Sequence, residues 1–222
     1  HLEHRRQRQM CIRDREFWSK SFIVNQNTLI PRPETELMVE TLARIFKKKN
    51  ITILDIGTGS GCILISLLSE LPSSKGIGID ISKKALVIAK KNSKRHKIHN
   101  IKFFNKSLDS KFNRKFDLIV SNPPYIKRTD IKKLAEDIKK YEPRIALDGG
   151  NDGLDLIRKV IYKAEYILKV NGKLALEIGN EQFNKVSEIL TKKNFKIEQI
   201  IKDYKHNIRS IISTYIGNKH EQ

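Results

Sequence analysis

Between residues 51 and 121 the chain alternates two hydrophobic rhythms. Short apolar runs, "ITILDIG", "KGIGIDI", "IKFFN" and "FDLIVS", read as strands covered on both faces, because an unbroken run leaves no wet side. Between them, "GCILISLLSEL" and "KKALVIAKKNSKRH" repeat apolar positions at helical spacing. Further on, "GLDLIRKVIYKAEYIL" predicts a helix, "GKLALEIG" a strand and "EQFNKVSEILTKK" a helix, and "FKIEQIIKD" with "IRSIISTYI" predicts a closing antiparallel hairpin. Upstream, "LIPRPETELMVETLARIF" sets its second Pro before an acidic first turn. Leu37, Val39, Leu42 and Ile45 then make an amphipathic helix that starts near Pro33. This order predicts an α/β fold: a mainly parallel, seven-stranded sheet with helices on both faces and a C-terminal antiparallel hairpin. In such sheets ligands bind outside the carboxyl ends of the strands.

The loop after the first of these strands, "LDIGTGSGC", opens a helix directly. Gly57, Gly59 and Gly61 let the backbone turn sharply and approach a ligand, with Thr58 and Ser60 between them. The spacing is not that of a dinucleotide loop, and no Lys-Ser/Thr pair follows to grip phosphate. It resembles the first motif of S-adenosylmethionine-dependent methyltransferases with a Rossmann-like sheet. That resemblance asks for an acid at the end of the second strand to accept from ribose hydroxyls, and "GIGIDIS" supplies Asp80. Adenine is then expected near Ser107 and Leu108, after the third strand. Asp55 is expected to hold the loop's backbone or to meet the amino group of the methionine moiety.

The fourth strand leads into "SNPPYIK". Two prolines fix their own φ and bias the residues before them toward extended conformations, so residues 122–125 are stiff. A planar NH2 on a carbonyl or aromatic ring is a poor nucleophile because its lone pair is delocalised. It attacks a sulfonium methyl when its hydrogens are held and its face is aimed. The Asn122 side-chain oxygen and the Pro123 carbonyl offer two acceptors, Pro124 stiffens the bend, and Tyr125 offers a ring for the planar group. The catalytic and substrate-binding candidates are therefore Asn122, Pro123, Pro124 and Tyr125. The bend suits glutamine side chains and the N6 amino group of adenine in nucleic acid alike.

Composition narrows the picture modestly. A chain of 222 residues holds one domain with a short extension, and no internal repeat is visible. No apolar run reaches bilayer length and the N-terminus lacks the apolar segment of a signal peptide, so a cytoplasmic location is expected. Cys11 and Cys62 have neither disulfide nor zinc spacing, and Cys62 is expected as a small core residue on a helix. His96, His99 and His206 are scattered, and no metal is assigned to them. The formal net charge of +19 suits an acidic or nucleic-acid partner. The lysines, however, recur along almost every helix, which is the pattern of solvated faces, so nucleic-acid binding is not the favoured reading.

The stretch from about Arg15 to Ile216 resembles the HemK family, the protein glutamine N5-methyltransferases of peptide-chain release factors. The residues that carry the likeness are "REFWSKSFIVNQNTLIPRPETE", "LDIGTGSG", "IVSNPPYI", "YEPRIALDGGNDGLDLIR" and "DYKHNIRSI". The resemblance implies S-adenosylmethionine as cofactor, held by residues 57–61, Asp80, Leu108 and Asn122. It also implies a class 1 release factor as partner, with the glutamine of its Gly-Gly-Gln loop held by residues 122–125. Arg32 and Glu34 are expected near the mouth of the site, or as the capped start of a helix. Where members often carry an acid followed by an aromatic, this chain has "NKSLDS". The expected division is an extension over 1–16, disordered or non-native, a linker over 17–33 left from an N-terminal substrate-binding domain, a catalytic domain over 34–217 and a tail over 218–222.

Overall fold

Pro33 opens a helix because its missing N–H is one that a first helical turn leaves unpaired anyway, and Glu34 and Glu36 add charge that suits a helix N-terminus. The structure, a computed structural model, describes residues 13–217. In chain order it runs β1 (Arg13–Phe17), β2 (Lys20–Val24), α1 (Pro33–Ile45), β3 (Thr52–Ile56), α2 (Cys62–Glu70), β4 (Lys75–Asp80), α3 (Lys83–Arg95), β5 (Ile101–Asn105) and β6 (Phe116–Ser121). A short helix α4 (Glu136–Tyr141) lies between two 3-10 turns, and α5 (Asp155–Ile167), β7 (Leu168–Glu177), α6 (Phe183–Lys192), β8 (Phe195–Lys202) and β9 (Ile208–Tyr215) complete the chain.

Seven strands form one sheet in the order β5-β4-β3-β6-β7-β9-β8. The first five run parallel, and β9 inserts antiparallel between β7 and β8. Two apolar layers cover the sheet. One joins α1 and α2 to Ile53, Leu118, Val120 and Ile212, and the other joins α5 and α6 to Leu54, Ile119, Leu176 and Tyr215. On α1 the buried face is Thr35, Met38, Val39 and Leu42. Leu37 and Ile45, expected on that face, are only half-buried, because the 35-38-39-42 spacing turns them to its flanks.

The largest departure from expectation is at the start. The boundary placed between residues 16 and 17 falls inside a strand, since β1 and β2 form an antiparallel hairpin whose Phe17 and Phe22 are fully buried in the α1–α2 layer. The turn gave no signal because it is made by Trp18 and Ser19, both at positive φ (53° and 52°), where glycine or asparagine is the usual choice. Residues 1–12 lie outside the described part. Asn92, fully buried on α3, ties this hairpin to the sheet: its Nδ2 donates to Ile23 O and Ser60 O, both at 2.9 Å, and its Oδ1 accepts from Ile23 N at 2.8 Å. One amide thereby joins β2 to the loop after β3. His96 serves the same contact, its Nε2 2.9 Å from Ser21 O.

Candidate active site

From β3 the sheet grows one way through β4 to β5, and the chain then crosses back to lay β6 on the other side of β3. At such a reversal the two connections diverge and leave a crevice at the strands' carboxyl ends. Ile56 pairs with Ser121 in register, and Ser121 Oγ donates to Ile56 O at 2.8 Å. The glycine loop and Asn122 therefore leave the sheet side by side, at one level.

The loop is pinned from beneath. Gly57 N and Thr58 N donate to Ile79 O at 2.9 and 3.0 Å, and Gly59 N donates to Asp80 Oδ2 at 3.0 Å. Asp80 Oδ1 accepts from Ser82 N at 2.8 Å, while Ser82 Oγ caps α3 by accepting from Ala85 N. Asp80 is thus not the helix cap; its carboxylate lies against the loop, and burial raises its pKa. Gly61 has φ 81°, and a side chain there would press on Ile65 and Ala89, so the packing of α2 against α3 requires glycine. Asp55 is buried, accepts from Thr58 Oγ1 at 2.6 Å, and leaves Oδ1 without a partner. Burial pushes its carboxyl up to about 7.

A cavity of about 670 Å³ opens above the crevice. Gly57, Thr58, Gly59, Ser60, Asp80, Ser107, Leu108, Asn122 and Pro124 line it. Gly61, Pro123 and Tyr125 are not in its lining: Gly61 supports the helix start, Pro123 is buried, and the half-buried Tyr125 packs against the apolar layer of α5 and α6. Cys62, expected in the core, is half-buried and lines the cavity as the first residue of α2. Burial pushes its thiol up to about 12. Among the described residues no group of His, Cys, Asp and Glu is arranged to hold a metal ion, and no helix is long and apolar enough to cross a membrane.

The bend after β6 is braced by residues that sequence reasoning did not single out. Gln182 Nε2 donates to Tyr125 O at 2.9 Å and to Gly153 O at 3.2 Å, and its Oε1 accepts from Gly179 N at 2.8 Å. Residues 126–128 pair with 147–150, through Ile126 N to Leu147 O, Gly149 N to Ile126 O and Arg128 N to Gly150 O. Gly153 stands at φ 79°, and a Cβ there would come within 2.5 Å of Tyr125 O. Gly153→Ala is accordingly expected to cost about 1–2 kcal/mol in backbone conformation alone, with more from the clash. Thermal unfolding should show the loss, and restoration of the wild-type midpoint in that variant would contradict the close approach.

Beside the lining residues Pro31 and Pro143, Arg32 Nη2 donates to both oxygens of buried Glu142, at 2.6 and 2.8 Å; neither Arg32 nor Glu142 itself lines the cavity. Arg32 precedes α1 but makes no side-chain cap, so it joins the helix start to the segment after α4. Of the "PETE" run it is Thr35 that reaches the bend's neighbour: its Oγ1 donates to Glu177 Oε2 at 2.5 Å. Glu177 ends β7, is buried, and accepts from Tyr125 Oη through Oε1 at 3.5 Å. Burial pushes its carboxyl up to about 7, against the opposing pull of Thr35. A signal was present: Glu177 is an acid at the carboxyl end of an apolar strand, as Asp55 and Asp80 are.

Two buried carboxyls near 7 have a consequence for stability. Unfolded, they titrate near 4, so between about pH 4.5 and 7 the folded chain binds more protons and loses stability as pH rises. The loss is on the order of a few kcal/mol and levels off above about 7. His96, whose pKa burial lowers, works in the opposite sense. Comparing unfolding midpoints of wild type and Glu177→Gln across pH 4.5–8 isolates the Glu177 share: the variant should show the shallower decline, and parallel curves would refute the assignment.

The geometry can be set beside known proteins. The family model for the methyltransferase small domain matches residues 33–210. The chain is 41% identical over 208 residues to a release factor glutamine methyltransferase of Fusobacterium nucleatum, covering 92% of this chain and 59% of that protein. It is 41% identical over 210 residues to another of that name from Flavobacterium psychrophilum, covering 91% and 73%. Among solved structures, a methyltransferase from Pyrococcus furiosus superposes with a TM-score of 0.66 at 18% identity, over 89% of each chain, a likeness of fold.

Proposed function

Since the chain belongs to the release factor glutamine methyltransferase family, we propose that it methylates the side-chain amide nitrogen of the glutamine in the Gly-Gly-Gln loop of class 1 peptide chain release factors, with S-adenosylmethionine as methyl donor. The observation that carries this reading is the emergence of Asn122 and the glycine loop at one level onto one cavity.

The cavity fits the cofactor in its chemistry. A Cβ on Gly57 would meet no atom within 4 Å, so at that point bare backbone faces open space in the cavity lining. Asp80 offers a half-buried acceptor in the cavity lining for ribose hydroxyls, and Leu108 offers an apolar contact for adenine. When bound, S-adenosylmethionine supplies a methyl carbon that leaves its positively charged sulfur with the bond pair staying on sulfur, and the nitrogen that takes it then loses a proton to solvent. The chain's own part is alignment. Asn122 Oδ1 and the Pro123 carbonyl accept from the two amide hydrogens of the glutamine, and the stiff bend keeps those acceptors at fixed spacing. Tyr125 closes the bend, anchored by Gln182 at its carbonyl. No side chain is needed as a base before the methyl arrives, because the nitrogen becomes strongly acidic only afterwards. Alignment of this kind can supply roughly 7–11 kcal/mol of barrier reduction.

The direct test is mass spectrometry of a release factor incubated with the protein and S-adenosylmethionine. One added methyl on the glutamine of the Gly-Gly-Gln peptide is the expected result. Transfer of labelled methyl to DNA or RNA adenine, with the release factor unmodified, would overturn the reading.

A further inference from the structure

Resting on that reading, we propose that Gln182 is a positioning residue for methyl transfer: its side-chain amide clamps the far end of the bend, and the clamp keeps the acceptors of Asn122 and Pro123 aimed at the substrate NH2. The two prolines do not achieve this by themselves. A proline ring fixes its own φ, but it only biases the ψ of the residue before it and leaves its own ψ open, so the bend can rock about the end of β6 unless its far end is held. The near end is held by the sheet, where Ser121 pairs with Ile56 and with Leu176. The far end is Tyr125, whose carbonyl accepts from Gln182 Nε2 at 2.9 Å.

Three contacts fix the Gln182 amide one way round. Nε2 donates to Tyr125 O and, at 3.2 Å, to Gly153 O, both of which can only accept, while Oε1 accepts at 2.8 Å from Gly179 N, which can only donate. Turned over, the amide would meet all three with the wrong polarity, and at 9% exposure water would not repair the loss. Local preference gives way to this contact. Gln182 stands at the N-cap of α6, where Ser, Thr, Asp and Asn are preferred for the helix bond their side chains make, yet its own side chain makes no such bond. Glu181 before it sits at φ 67°, a strained conformation for a residue with a Cβ. Bare backbone closes in on the same peptide from two more sides. A Cβ on Gly149 would lie 2.8 Å from Pro124 O and Tyr125 Cα, and one on Gly179 would lie 3.0 Å from Gln182 Oε1 and 3.1 Å from Tyr125 Cδ2. The bend is thus seated in a socket built from the segments that lead into α5 and α6. Gln182 is outside the cavity lining, so it touches neither cofactor nor glutamine and acts through the bend alone.

The test uses the whole protein, S-adenosylmethionine and a release factor substrate, at a temperature well below every unfolding midpoint. Gln182→Met keeps the bulk of the side chain and removes its three hydrogen bonds. It is expected to lower kcat about tenfold or more, because a reacting group displaced by about 1 Å can cost on the order of 10²-fold, while cofactor affinity and the KM for release factor stay within about threefold. Cofactor binding is spared because Asp80 ends β4, which lies across β3 from β6. Gln182→Glu separates the two halves of the clamp. The introduced carboxylate still accepts from Gly179 N, so the start of α6 is kept, but an oxygen replaces the donor that faced Tyr125 O and Gly153 O. Its kcat is expected to fall at least as far as that of Gln182→Met. Leu190→Ala controls for stability alone: Leu190 is fully buried on the same helix, about 12 Å along it from Gln182, and its truncation should lower the unfolding midpoint and leave kcat within about twofold. The inference fails if either Gln182 variant keeps wild-type kcat, if Gln182→Glu is the milder of the two, if cofactor affinity falls in step with the rate, or if Leu190→Ala loses as much kcat. A wild-type protein that leaves the glutamine unmodified removes the functional reading, and the inference with it. An active wild type with equally active Gln182 variants removes the inference alone.

Discussion

Asn122→Ala is expected to slow methyl transfer by roughly two decades or more while cofactor affinity changes far less. Asn122 lines the cavity, and its side-chain oxygen is one of the two acceptors assigned to the glutamine. Truncation removes that acceptor and leaves the other, the Pro123 carbonyl, unable to hold a planar NH2 at a fixed angle by itself. The loss therefore falls on alignment in the transition state, which appears in kcat, and only slightly on ground-state binding. Single-turnover methyl transfer with isothermal titration of the cofactor separates the two. A variant whose cofactor affinity collapses by the same factor as its rate would show that Asn122 holds the cofactor and leaves the nitrogen to other groups.

The second large effect is expected at Asp80, with the opposite kinetic signature. Its two oxygens already accept from Gly59 N and Ser82 N, and a carboxylate has lone pairs left for a pair of adjacent hydroxyls. Asp80→Asn exchanges one acceptor for a donor. Gly59 N–H or Ser82 N–H then faces an NH2, and the ribose loses a charged partner. Hydrogen bonds to charged groups contribute about 1.5–3 kcal/mol each, so cofactor affinity is expected to fall about 10- to 100-fold. At saturating cofactor the rate should return to within a few-fold of wild type. Unchanged affinity in Asp80→Asn would reduce Asp80 to a clamp on the glycine loop.

The two predictions rest on features of different legibility. Asp80 and the glycine loop are local: an acid closing one apolar run, and three glycines between a strand and a helix. Asn122 is local too, since two prolines announce a stiff bend wherever they stand. Thr35, Gln182 and Glu142 are not local. Thr35 looks like any residue in the first turn of an amphipathic helix, and its bond to Glu177 spans 142 residues of sequence. Gln182 reads as a polar residue before a helix, yet it carries the carbonyl of Tyr125. Asn92 sits in a lysine-rich run that looks solvated, although its amide is fully buried between the hairpin and the loop after β3. Polar side chains that work by bridging distant backbone carry no periodicity, so no pattern marks them.

Periodicity and punctuation alone determined the element order, the parallel sheet, the closing hairpin and the positions of the glycine loop and the bend. These follow from which residues avoid water and which backbone angles glycine and proline allow, and both are properties of short stretches. The N-terminal hairpin, the face that α1 buries, the retreat of Tyr125 from the cavity and the central place of Glu177 were decided only when the chain closed on itself. Each depends on what another segment offers at a few ångströms: a phenylalanine pocket beneath a Trp-Ser turn, an apolar layer behind a tyrosine ring, and a threonine and a tyrosine hydroxyl meeting one buried carboxylate.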